Sequence, residues 1–383
     1  MGESEWRPVM RPAGADTELY VVLEEVASGR WMAMRSLLAD TDVSRDRSRW
    51  TYRSQVLGAA AAGSDVVEAW AADEPGPDAS VMRARVSVER ALRAGRARHG
   101  TAEALWHTAL AACRTAVDEA PDNPVPWICF LALAVLDEDQ QVGEHRMRAP
   151  DPMLPPGPWG LLRRAHELDP YNREAYHRMM LYWLSRPGPG AVSQADGFAR
   201  WVLSSAEQPA AAALLMLPVY VRVERWLRLP RETLDMHWLN SYAIQDALIA
   251  YEGWFALTAP DDRSLQDLNH LAHALWAGQR FAEAGRVFEA MGRHATPRPW
   301  QFRLTDNGGP GQPGQPGQLA ELIARCRAQC LSAADSARDT ARDTARDTAR
   351  DEAPETTPDR SRGGGSAPSG RHRHRSGPRT LFS

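Results

Sequence analysis

The chain has 383 residues, 43% of them hydrophobic, and a formal net charge of −4. All 45 basic residues are arginine, a usage expected of a GC-rich bacterial genome. Without lysine there can be no P-loop, Schiff-base or kinase β3 lysine, so those enzyme classes are excluded.

Met1 to Glu5 is acidic and polar with no apolar core of a signal peptide, and Trp6 stands where a myristoylation motif needs Ser or Thr. The longest apolar stretch, Pro209 to Val221, is broken by Pro218 and falls short of the roughly 20 residues that span a bilayer. A cytoplasmic location and no membrane contact are therefore expected. β-branched runs of period two are nearly absent, and Ala and Leu dominate, which predicts an all-α chain.

Turn chemistry divides residues 1–305 into helix pairs at about 17–40, 48–73, 79–120, 124–170, 173–206, 208–257 and 264–294. The pairs within 1–78 read as atypical N-terminal caps. From there a phrase recurs: Ala116-Val117-Asp118-Glu119-Ala120-Pro121-Asp122-Asn123, then Ala165-His166-Glu167-Leu168-Asp169-Pro170-Tyr171-Asn172, then a looser copy near Met291 and Pro297. Pro ends one helix, and Asn123 or Asn172 can cap the next. A repeat of about 34 residues whose units cannot bury an apolar face alone implies stacked helical hairpins.

The stripes agree with that register. Trp127, Phe130, Leu131 and Ala134 fall at i, i+3, i+4, i+7, as do Tyr176, Met179, Met180 and Trp183, and Leu268, Leu271, Ala272 and Leu275. The following helices carry i, i+4, i+7 sets: Ala109, Cys113, Ala116; Pro158, Leu162, Ala165; Ala195, Ala199, Val202; Ala284, Phe288, Met291. A Pro-rich insertion, Gln140 to Gly157, separates the helices of one unit. The pair at 208–257 is the least regular, with long helices and no closing phrase.

Composition shifts after Asp306. Residues 306–318 read as a Gly/Pro/Gln linker. Residues 319–352 read as an amphipathic helix, Leu319 to Asp335, running into Ala-Arg-Asp-Thr repeats that form a solvated extension. Residues 353–383 read as a disordered basic tail. The tail holds six Arg and two acids, a net +4, which leaves the rest of the chain at −8. Such a body is not expected to bind nucleic acid specifically.

These repeats resemble the tetratricopeptide family. Trp127, Phe130 and Leu131 stand at its aromatic-leucine-glycine opening, Ala284 and Phe288 at its second-helix alanine and aromatic, and Pro121 and Pro170 at its closing proline. The opening glycine is replaced by Leu131, Met180 or Ala272. The resemblance covers residues 101–206 and 264–297. It implies a right-handed superhelical solenoid of antiparallel helix pairs whose concave groove takes a peptide or partner protein. By the repeat phase His177, Leu181 and Leu184 line that groove in one unit, with Glu174 at its edge. Asn269, His273 and Trp276 line it in another, with Gln266 beside them and His270 at the margin. The family grips its ligands at those helix positions.

Catalytic signals are weaker. Cys326 and Cys330 at i, i+4 lack further ligands for a metal, and Asp137-Glu138-Asp139-Gln140-Gln141 lacks the distal acid of a terpene-cyclase magnesium site. Four-residue steps from Asn240 land on Ile244 and Leu248, which cannot ligate. No cofactor, metal or enzymatic activity is expected. The leading expectation is a protein-interaction scaffold. The alternatives are a peptide- or small-ligand-responsive regulator and an all-α enzyme centred on His270, His273 and Glu283.

Overall fold

The computed structural model describes residues 6–41, 46–229, 234–307 and 316–351. The described residues contain helices and isolated β-bridges but no β-strand. The helices are α1 (Thr17–Ala27), α2 (Met32–Asp40), α3 (Arg47–Ala61), α4 (Val66–Asp73), α5 (Pro77–Arg96), α6 (Ala102–Glu119), α7 (Val125–Leu133), α8 (Trp159–Leu168), α9 (Arg173–Ser185), α10 (Ala191–Ser205), α11 (Leu217–Leu227), α12 (Leu234–Trp238), α13 (Ser241–Ala250), α14 (Leu265–Ala277), α15 (Phe281–Met291) and α16 (Pro316–Asp351). No helix among the described residues is long and apolar enough to cross a membrane.

Local chemistry sets the boundaries. Asp16, Asp46 and Asn172 cap α1, α3 and α9 by accepting the amides of Leu19, Arg49 and Ala175 at 3.0, 3.1 and 3.1 Å. Asn123 accepts the amide of Val125 at 2.9 Å where the chain turns into α7. The segment from Gln140 to Gly157 is tied down rather than loose. Asp137 accepts the amides of Gln141 and Val142 and meets His145 Nδ1 at 2.8 Å, while Tyr182 donates to the His145 carbonyl.

Most helices pack on their neighbours in the chain, α3 with α4 and α11 with α12 being the exceptions, and α1, α3, α5, α7, α9, α11 and α14 also pack on one another in that order. The i, i+4, i+7 stripes of α6, α10 and α15 are buried, as are those of α9 and α14. In α10 and α15 a small residue opens the stripe and a larger one closes it, which lets the helix axes approach closely. Two apolar clusters result, one from the first seven helices and one from α7 onward. Helix α7 joins them: Cys129, Ala132 and Leu133 face one cluster, Ile128 and Leu131 the other.

Between 208 and 257 the described residues make three α-helices, α11 to α13, a 3-10 turn at Ala212–Met216 and a π-turn at Tyr251–Phe255, where the hairpin pattern expects two helices. The large side chains Trp226, Trp238 and Trp254 of this stretch are buried in the core.

The first half of α16 docks back on the body. Leu319, Ile323, Cys326, Cys330 and Ala334 of α16 are buried against α15. Gly285 permits that contact: a Cβ there would lie 2.5 Å from the Cys330 carbonyl oxygen and 2.7 Å from Ala334 Cβ. The amphipathic half of the expected extension is thus part of the core. The Ala-Arg-Asp-Thr residues continue the same helix to Asp351. Most of the expected linker, 308–315, and the whole expected tail, 353–383, lie outside the described residues.

The N-terminal segment closes the arrangement. Val9 donates to the Arg293 carbonyl at 2.7 Å and accepts from Ala295, forming a short parallel bridge with His294. The Arg327 guanidinium of α16 sits 4.6 Å over the Trp6 ring. Gly14, at φ +57°, turns the strap against Leu265 into α1, a conformation that a side chain would strain. First and last helices are therefore joined through residues 6–16.

Candidate functional site, a polar crevice at the meeting of three inner helices

Where the strap crosses to α14, a crevice of about 300 Å³ opens between α3, the start of α9 and the 260–265 turn. One wall is the first half of α3, with Arg49, Tyr52 and Gln55; the floor is Asn172, Arg173 and Glu174; Asp261 and Asp262 stand exposed on the rim. A 3-10 turn at Pro260–Asp262 leads into α14 at this point.

Ion pairs set behind the walls fix the crevice in shape. Arg53, only 4% exposed, forks onto Asp16 at 2.9 Å and 3.1 Å, reaches Glu18 at 2.6 Å, and donates to Thr41. Burial raises the Asp16 carboxyl, but the hydrogen bonds and charge of Arg53 outweigh it and hold it below the usual carboxylate range. Arg173 forks onto Asp267 of α14, whose Oδ1 also accepts the Tyr220 hydroxyl of α11 at 2.7 Å. Arg85 of α5 forks onto Glu174 of α9 at 2.7 and 2.6 Å, and Arg178 adds two contacts at 3.1 Å. These pairs tie α9 to α5 on one side and α14 on the other. Tyr52 donates to the Pro12 carbonyl at 2.9 Å, and burial pushes its phenol up to about 12. It anchors the strap and does not titrate at neutral pH.

Arg49 is left at the mouth of the crevice. Its guanidinium is exposed and makes no ion pair with the described residues, while Gln55 is half-buried beside it. The crevice therefore offers a cation and an amide on one wall and two carboxylates on the opposite rim. It can satisfy both donors and acceptors of a bound polar group.

The residues expected from the repeat phase lie elsewhere, against α11. His177 packs its ring on Tyr220 at 4.6 Å, Leu181 is half-buried in the core, and Leu184 is 7% exposed with its carbonyl accepting from Arg228. Asn269 is wholly buried: Nδ2 donates to the Leu265 carbonyl, and Oδ1 accepts from the Thr296 amide and the Trp300 indole, both at 3.1 Å. His273 is also wholly buried, between the rings of Trp226, Trp238 and Trp300 at 5.1 to 5.2 Å, and its Nε2 accepts from Arg303. Trp276 is half-buried and donates to Gln329 of α16 at 3.0 Å. The phase places these side chains on one face, and α11, residues 296–303 and α16 then cover that face. Glu174 and His270 are buried too, the first under Arg85 and the second over Tyr220 at 4.0 Å.

Burial drives the histidines of this layer below their usual range, His270 to about 4, with the nearby arginines acting in the same direction. They are neutral packing groups at pH 7. Glu283, the third residue of the enzyme alternative, pairs with Arg280 on α15 instead. Among the described residues no three His, Cys, Asp or Glu side chains come together as a metal site would require.

The sequence signal for the crevice residues was faint. Arg49, Tyr52 and Gln55 belong to a capping pair with no repeat register, and the partners of Arg173 and Glu174 are 94 and 89 residues away. Asp246 and Asp267, acids at core phase in α13 and α14, were legible as buried-pair candidates; Asp246 meets Arg200 and Arg222. Compared with known proteins, the chain matches no family model, no curated protein and no solved structure.

Proposed function

We propose that this chain is a helical-repeat interaction scaffold of the tetratricopeptide kind, a right-handed superhelix that takes an extended segment of a partner protein in its central crevice. The order of packing supports the repeat reading: hairpin follows hairpin, and the first helix of each stacks on the first helix of the next. The observation that carries the binding reading is the crevice itself. Three inner helices from distant parts of the chain build it, buried ion pairs hold it in shape, and Arg49 stands exposed and Gln55 half-buried on its wall, neither in an ion pair with the described residues. An extended backbone presents alternating donors and acceptors, which a wall of mixed polarity can match. A cytoplasmic location and no cofactor are part of this proposal.

A second reading is favoured by size. A cavity of about 300 Å³ is at the small end of the range for small-molecule sites, so a short peptide or small polar ligand fills it without a larger docking surface. In that case the strap, which lines the crevice and also bridges to α15, carries the response.

Affinity capture from native lysate with the full chain tests both readings, beside a variant carrying Arg49→Glu and Gln55→Ala. Both positions are on the crevice wall and outside the core, so circular dichroism of the two baits should match. Asn269 and His273 are unsuited to this purpose because their loss would disturb the fold. A protein retained by the parent and lost from the variant supports the scaffold. Retention that ignores the substitutions contradicts it. If nothing is retained while a small ligand raises the melting temperature of the parent alone, the second reading replaces the first.

A further inference from the structure

The end of α11, α12 and the start of α13 surround a second cavity, of about 450 Å³, which shares no lining residue with the crevice. Two of its residues, Arg222 and Arg225, stand three apart on α11 and so lie on one face of that helix. Arg222 is only 8% exposed, yet it is committed at a single nitrogen. Its Nε donates to Asp246 at 2.8 Å, while Nη1 and Nη2 have no acceptor among the described residues and are not sealed from solvent. Buried polar groups are normally paired. A guanidinium with its stem and Nε fixed and its terminal nitrogens left over is a donor fork already in place for an anion.

The charges nearby agree. Asp246 accepts both terminal nitrogens of Arg200 at 2.7 Å in addition to Arg222, and Asp196 lies 3.8 Å from Arg200 and 3.6 Å from Arg225. Three cations share two carboxylates, so this network holds one positive charge that it does not balance. His237 adds none. Burial holds its ring below the usual range, against the hydrogen bond between Nε2 and the Arg222 carbonyl and in step with the charges of Arg222 and Arg225. Asn240 supplies a further donor: its Oδ1 caps α13 by accepting the Tyr242 amide at 2.9 Å, which leaves Nδ2 free among the described residues. The rest of the wall is apolar, with Leu229 half-buried, Ala243 buried, and Met236 and Tyr242 exposed.

We propose that this cavity is a binding site for a small monocarboxylic acid with an apolar body. Arg222 and Arg225 hold the carboxylate, Asn240 donates to it, and Leu229, Met236 and Tyr242 cover the body. A mostly apolar concavity with a few convergent polar groups is the usual form of a small-molecule site, and the volume is within the usual range. One unbalanced positive charge suits a monoanion. Inorganic phosphate is largely a dianion at neutral pH and wants more donors than these walls offer. The site goes beyond the scaffold reading and does not depend on it.

The test uses the full chain with isotope-labelled methionine methyl groups, read by nuclear magnetic resonance, the Met236 signal being assigned through Met236→Leu. Phenylpropionate is the probe, with phenylpropanol and inorganic phosphate as comparators, each titrated to about 10 mM. Phenylpropionate should shift the Met236 signal saturably, and neither comparator should do so. Arg225→Gln changes a side chain that is 36% exposed, and Asn240→Asp keeps the helix cap while adding a like charge. Each should weaken binding about tenfold, whereas the crevice variant with Arg49→Glu and Gln55→Ala should bind as the parent does. The proposal is overturned by no saturable shift, by an equal response to phenylpropanol, by a response to phosphate alone, by undiminished binding in both cavity variants, or by loss of binding in the crevice variant. The comparison of acid with alcohol on the parent chain decides the matter even where a variant folds poorly.

Discussion

Glu174→Gln isolates the buried ion pair between α5 and α9. The carboxylate is 4% exposed and lies under Arg85, itself 6% exposed, with both terminal guanidinium nitrogens within 2.7 Å. Burial pushes this carboxyl up, yet Arg85 and Arg178 hold it below the usual range, so the charged form is the folded form. Glutamine keeps the volume and removes the charge, leaving a guanidinium in the core with a weaker acceptor. Unit charges about 4 Å apart at an effective dielectric of 20 attract by about 4 kcal/mol, in line with the 3–5 kcal/mol lost when one partner of a buried pair is removed. Urea unfolding at pH 7.5, followed by tryptophan fluorescence, should therefore show Glu174→Gln destabilised by about 3 kcal/mol or more. Replacing both partners, Arg85→Met with Glu174→Leu, should recover most of that loss, because only the partly exposed Arg178 then loses its partner and no fully buried charge is left uncompensated. A single variant within about 1 kcal/mol of the parent, or a double variant no better than the single, would refute the reasoning.

Other consequences can be measured on the same protein. His270 is held near 4 when folded and titrates near 6.5 when unfolded, so between those values the unfolded chain binds the extra proton and stability falls as pH falls. From pH 6.5 to 5 this costs about 2 kcal/mol for His270 alone; urea midpoints at the two pH values check it, and a flat or rising profile contradicts it. Gly285→Val places a side chain against the Cys330 carbonyl and should cost about 1–3 kcal/mol. Its signature is faster tryptic cleavage at Arg325 and Arg327, and unchanged cleavage would mean α16 is not seated there. Trp300→Ala empties the space beside His273 and Phe288 and removes one of the two donors to Asn269 Oδ1, for about 3–5 kcal/mol in thermal or urea unfolding. A loss below about 1 kcal/mol would contradict the packing described for this layer.

Helical class and helix placement were legible because burial and periodicity point the same way. The stripes of α9 and α14 are buried as their spacing requires, and Asn123 and Asn172 accept the amides that begin the next helices. The faces left over were not legible. Asn269, His273 and Trp276 look like groove residues when each hairpin is considered alone, since polar and aromatic groups off the apolar stripe usually face solvent. What covers them, Trp300, Arg303 and α16, comes from beyond the last repeat, and no local pattern states where those residues return. The crevice was hidden for the same reason. Its walls come from α3, α9 and α14, and long-range ion pairs such as Arg173 with Asp267 leave only an acid at a core position as their trace.

The most direct test of the crevice as the binding site is site-specific photo-crosslinking in living cells, with a photoreactive amino acid in place of Gln55 on the crevice wall or of Arg163 on the exposed outer face of α8. Irradiation should yield a discrete cross-linked partner or ligand adduct from the Gln55 position and none from Arg163. A product from Arg163 with none from Gln55 would place binding on the outer surface and contradict the account.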